Sequence, residues 1–147
     1  MYQNILAPTD GSDLSKKAVK EAARIAKFAG AKLLLLHVRS PIDIPHHAAG
    51  GVLSRYGEGK LMEEIADEEH QLLDAALEIA ASAGVKAEGA FITSYSPYES
   101  IIRVAKEQQA DLIVMASRIR HGIPRFVIQS ETHKVLMNTE IPVLVVR

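Results

Sequence analysis

Apolar runs with little alternation recur at Ile5 to Pro8, Ala31 to Val38, Asp111 to Ala116 and Ile141 to Arg147. Such runs are how strands covered on both faces read. Between them, apolar residues recur every three or four positions, which marks one face of a helix. From Ser12 the stripe is Leu14, Ala18, Ala22, Ile25, Ala26 and Ala29, with Lys16, Lys17, Lys20, Glu21, Arg24 and Lys27 opposite. Thr9-Asp10-Gly11-Ser12 supplies the turn and cap before it, and Gly30 stands where a left-handed cap belongs.

Arg39 to Lys60 carries Pro41, Pro45, Gly50, Gly51, Gly57 and Gly59, too many breakers for one regular element. A long loop inside a compact domain is either functional, here as a lid, or disordered. Leu61, Ile65, Leu72, Ala76, Ile79 and Ala83 then mark a long helix closed by Gly84. Its early turns hold Glu63, Glu64, Asp67, Glu68 and Glu69, where the helix dipole favours acid, so this run reads as a solvated face. Lys86 to Thr93 sets Lys86 and Glu88 against Ala87, Gly89 and Phe91, the pattern of a half-exposed edge strand. Ser96-Pro97-Tyr98-Glu99 has the form of a capping box with proline at the first helical position, ahead of Ile101, Ile102, Val104 and Ala105. Asp111 opens the fourth strand, and Ser130-Glu131-Thr132-His133 starts the last helix. Strands alternating with helices predict an α/β fold, an open and mostly parallel five-stranded sheet with helices on both faces.

Composition narrows the function classes. A chain of 147 residues buries a sizeable core without staples, and neither an internal repeat nor a second domain is visible, so one domain over 1–147 is expected. A net charge of −1 lacks the basic excess of a nucleic-acid binder. The absence of cysteine removes disulfides, thiolate zinc sites and cysteine nucleophiles. No stretch has the length and apolarity of a membrane span or signal peptide, so a cytoplasmic location is expected.

Several segments together resemble the universal stress protein family. Asn4 to Ser12 looks like its opening, Leu35-Leu36-His37-Val38 like its second strand, and Ser130 to Arg147 like its ending. The resemblance implies strand order 3-2-1-4-5 and brings Pro8-Thr9-Asp10 beside Met115-Ala116-Ser117, at the point where ligands bind in open sheets. It further implies ATP or AMP as ligand. Asp10 matches the family's adenine-side aspartate, Val38 the position whose backbone reads the adenine edge, and Met115 a neighbour of the same pocket. Ser130 and Thr132 match the hydroxyls that face phosphates, with Gln129 and Glu131 beside them. For Asp10 a plain turn role, and for Met115 plain core packing, stay open.

Members that bind ATP carry Gly-x2-Gly-x9-Gly followed by Ser or Thr after the fourth strand. Here the glycine positions fall at Ala116, Ile119 and Gln129, and only Ser130 matches. Side chains there obstruct the close backbone approach that a phosphate requires, and Glu131 adds like charge, while Arg118, Arg120 and Arg125 would attract an anion. Weak or absent ATP binding is therefore expected, the alternatives being an ATP or AMP sensor with an atypical loop and a small nucleotide hydrolase.

Catalytic patterns are missing. His46 and His47 are adjacent and so diverge, His37 ends a strand, His70, His121 and His133 have no motif around them, and Asp10, Ser117 and His121 form a triad in residue type alone. The chain is expected not to be an enzyme and to hold no metal. The last strand, Ile141 to Arg147, would leave an apolar edge exposed. Relatives that resemble this chain pair that strand with its copy, so a homodimer through Ile141 to Arg147 is expected, with a regulatory protein as a further partner.

Overall fold

The computed structural model describes residues 1–41, 67–117 and 130–147 in full, and 57–66 as helical backbone. In chain order the elements are β1 (Asn4–Pro8), α1 (Asp13–Ala29), β2 (Lys32–Arg39), α2 (Gly57–Ser82), β3 (Glu88–Thr93), α3 (Pro97–Glu107), β4 (Leu112–Ala116), α4 (Glu131–Asn138) and β5 (Val143–Val146). The strands form one sheet in the order β3-β2-β1-β4-β5, and every pairing is parallel.

Alternate residues of the central strands face opposite layers. Ile5, Ala7, Leu33, Leu35, Leu112 and Val114 face α1 and α2, whereas Leu6, Leu36, Ile113 and Met115 face α3 and α4. Both faces are covered, which is why these strands read as continuous apolar runs. Against the sheet α1 lays Ala18, Val19, Ala22, Ala23 and Ala26, all buried. So small a face lets the helix approach closely, and a leucine at Ala22 would cost about 1–3 kcal/mol by overpacking. Ser12 caps the helix start by accepting from Ser15 N, and Gly30 closes it in the left-handed conformation, as the residue types predict.

Four expectations change. The breaker-rich loop ends earlier, because Gly57 and Gly59 lie within the first turn of α2; residues 42–56, and with them the lid reading, His46 and His47, lie outside the described residues. The acidic run on α2 is not solvated throughout, since Glu69 is buried against Arg39. Phe91 was expected on the covered side of β3; it does face α2, where it meets the His70 ring edge-on, yet it is 42% exposed, while Ala90 and Ile92 pack into the core on the opposite face of the sheet. Ser96 makes no side-chain cap bond; the start of α3 takes its acceptor from another helix.

Candidate functional site: a cleft beyond the ends of β1 and β4

The sheet order makes β1 the neighbour of both β2 and β4, so their carboxyl ends open together. The turn after β1 is held from several sides. Thr9 N donates to Leu36 O (2.8 Å), Thr9 Oγ1 and Ser15 Oγ share a hydrogen bond (3.1 Å), and His37 Nδ1 meets Thr9 O (2.9 Å). Because a carbonyl only accepts, Nδ1 carries the hydrogen in that contact. His37 is thus a half-buried strand-end imidazole with a partner, as expected. Asp10 Oδ1 accepts from Ser12 N at 2.9 Å and stabilises the turn into α1. Partial desolvation raises the Asp10 pKa, but hydrogen bonds from the Ser12 hydroxyl and N–H and from Ser15 outweigh it, so the carboxyl is held below its ordinary value.

These turns border a cleft of about 220 Å³. Its floor is apolar, with Leu36 and Val38 from β2, Met115 and Ala116 from β4, and Pro97 and Ile101 from α3. Pro8, Thr9, Asp10 and Ser15 border one side, and Glu131 and Thr132 another. Of the residues singled out from sequence, Pro8, Thr9, Asp10, Val38, Met115, Ala116, Glu131 and Thr132 meet here.

Ser117 and Ser130 are not among the lining residues. Ser117 N donates to Val146 O, extending the β4–β5 ladder, and Ser130 Oγ caps α4 by accepting from His133 N. Arg118 and Gln129, with Ile119, Arg120, His121 and Arg125, lie outside the described residues. Ser15, Leu36, Pro97 and Ile101 were not anticipated. Leu36 could have been, since it stands two residues before Val38 and shares its face of β2.

The hydroxyls and carboxylates are already engaged. Thr132 Oγ1 donates to Ala116 O at 2.7 Å, tying α4 to the end of β4. Glu131 Oε2 accepts from Tyr98 N at 2.8 Å and Oε1 pairs with Lys134 Nζ at 2.9 Å, so the carboxylate of α4 caps α3. Among the described residues no three His, Asp or Glu side chains are grouped to hold a metal, and no helix is long and apolar enough to cross a membrane.

The model of the universal stress protein family matches residues 1–147. This chain belongs to that family. The universal stress protein YxiE of Bacillus subtilis (strain 168) is 33% identical over 149 residues, with both chains covered in full. A universal stress protein crystallised in complex with cAMP superposes with a TM-score of 0.77 at 25% identity, over 99% of this chain and 97% of that one. The universal stress protein of Archaeoglobus fulgidus in complex with dAMP gives a TM-score of 0.69 at 21% identity, over 99% of this chain and 98% of that one, a likeness of fold alone. The five-stranded order expected from the resemblance is the order found.

Proposed function

We propose that this universal stress protein is a dimeric, non-catalytic regulatory protein of the stress response whose cleft takes an adenine ring and binds ATP weakly or not at all. The observation that carries this reading is the cleft itself, where an apolar floor including Val38 and Met115 lies under the Asp10 carboxylate. A flat aromatic base suits such a floor, and a carboxylate accepts from an exocyclic amine or a ribose hydroxyl. A relative of the same fold crystallised with cAMP supports an adenine-bearing ligand.

Weak ATP binding is supported by Ala116, Ile119 and Gln129 at the three glycine positions of the phosphate loop. The cleft volume points the same way, being below the ~300–1,000 Å³ typical of sites for drug-sized ligands. Thr9, Ser15 and Thr132 share their hydroxyls with neighbouring groups, which favours binding over nucleophilic chemistry. Dimerisation through Ile141 to Arg147 is supported by β5 being an edge strand with Leu144 exposed, and by Leu136 and Met137 exposed on α4.

Calorimetric titration with AMP and ATP tests the ligand reading. AMP is expected to bind and to lose affinity in Asp10→Ala, while ATP gives little heat. Micromolar ATP affinity that disappears in Asp10→Ala would favour the second reading, an ATP or AMP sensor with an atypical loop.

A further inference from the structure

Among the described residues the charge lining the cleft is one-sided. Among the described residues that form it the charged groups are Asp10 and Glu131, and none is Lys, Arg or His. Glu131 is fixed in place. Its Oε2 holds the first free N–H at the start of α3, a position that an anionic ligand group would otherwise use, and Oε1 is drawn to Lys134. The Lys134 ammonium lies over the Tyr98 ring, 5.7 Å from its centroid, and does not line the cleft. A ligand therefore meets the carboxylate at this wall, with the cation outside the lining. Withdrawing Glu131 to admit a phosphate would uncap α3 and break the pair with Lys134.

Building on the adenine-site reading above, we infer that Glu131 is a specificity-determining residue that selects an adenine nucleoside neutral or cationic at its 5′ position over the 5′-phosphates. With the base on the floor formed by Leu36, Val38, Ile101 and Met115, the sugar lies between two polar walls. Asp10 stands at one and Glu131 at the other. An anion on the 5′ carbon faces like charge at short range in a partly desolvated cleft, whereas a hydroxyl or an ammonium can donate to the carboxylate. This places the ligand class among nucleosides and their 5′-amino or similarly cationic derivatives.

The test is a ladder of 5′ charge measured by calorimetry at low ionic strength. The probes are 5′-amino-5′-deoxyadenosine, adenosine and AMP, titrated into the wild type, Glu131→Gln and Lys134→Met. The wild type should bind them in that order of decreasing affinity, with adenosine favoured over AMP by about tenfold. Glu131→Gln keeps an oxygen to accept from Tyr98 N, so it retains the cap of α3, checked by thermal unfolding; it should reduce the preference to about twofold. Lys134→Met leaves the Glu131 charge unpaired and should widen it. Added salt should narrow the wild-type preference. If adenosine binds but the order ignores 5′ charge, or is the same in Glu131→Gln, the inference is wrong while the adenine-site reading stands. If none of the three probes binds any variant, both fall.

Discussion

His37 Nδ1 donates to the carbonyl of Thr9 at 2.9 Å, joining the end of β2 to the turn that carries Asp10. These two segments supply the Val38 and Asp10 sides of the cleft, so the bond sets their separation. His37→Ala leaves a partly buried carbonyl without its partner and should cost about 1 kcal/mol of stability. Urea unfolding checks the cost, and adenosine affinity measured alongside should fall as the two walls loosen.

Arg39 Nη1 and Glu69 Oε1 lie 3.2 Å apart with side chains 15% and 8% exposed. The contact is off the hydrogen-bond line, and Arg39 Nε and Glu69 Oε1 have no hydrogen-bond partner among the described residues. A buried pair with groups unsatisfied adds little net stability, yet removing one member strands the other. Glu69→Leu alone should destabilise by about 3–5 kcal/mol. The double variant Arg39→Met with Glu69→Leu should recover most of the loss, and a double-mutant cycle in urea measures the coupling.

Gly11 and Gly30 both have positive φ, at 79° and 67°, but their surroundings differ. A Cβ on Gly11 would lie 2.8 Å from Leu72 Cδ1, whereas one on Gly30 meets nothing within 4 Å. Gly30→Ala should therefore cost about 1 kcal/mol from backbone strain alone, and Gly11→Ala more, since it also collides with the Leu72 side chain. Leu72→Ala should partly rescue Gly11→Ala and leave Gly30→Ala unimproved. Thermal unfolding of the four variants separates strain from collision.

The Asp10 carboxyl is held below its ordinary value of 3.8, so the folded state favours the charged form. A lowered folded-state pKa contributes stability that is fully present above the unfolded value and is lost as pH falls through the folded one. Asp10→Asn should therefore be less stable than the wild type at pH 7, and the gap should shrink below about pH 4. Parallel urea titrations at pH 7 and pH 3 check the sign.

Pairing of β5 with its copy would cover Leu144, which is 36% exposed at the sheet edge. Light scattering should give the mass of a dimer at micromolar concentration. Leu144→Glu should shift it toward monomer without unfolding the chain, because a charge placed in such an edge opposes association.

The central strands and α1 were legible because buried parallel strands and a helix ended by Ser12 and Gly30 leave local signals. Strand order was not local; it came with the family resemblance, as did Asp10, Val38 and Thr132 as candidates. Contacts between distant residues stayed hidden. Glu69 sits within an acidic run whose plainest reading is solvent, and its partner Arg39 lies on another element. Ser96 to Glu99 matches the capping-box pattern, yet Glu131, more than thirty residues later, provides the acceptor for Tyr98 N. Pro97 and Ile101 enter the cleft for a similar reason, since only the packing of α3 beside β2 and α4 makes a helix start part of the floor.

The most direct test follows the methionine methyl signals by NMR while adenosine is added. Met115 is buried at the cleft floor, whereas Met1 and Met137 are 87% and 70% exposed. An adenine ring held in the cleft should move the Met115 methyl resonance by its ring current and leave those of Met1 and Met137 in place. An unmoved Met115 signal at millimolar adenosine, or a shift confined to Met137, would contradict the account.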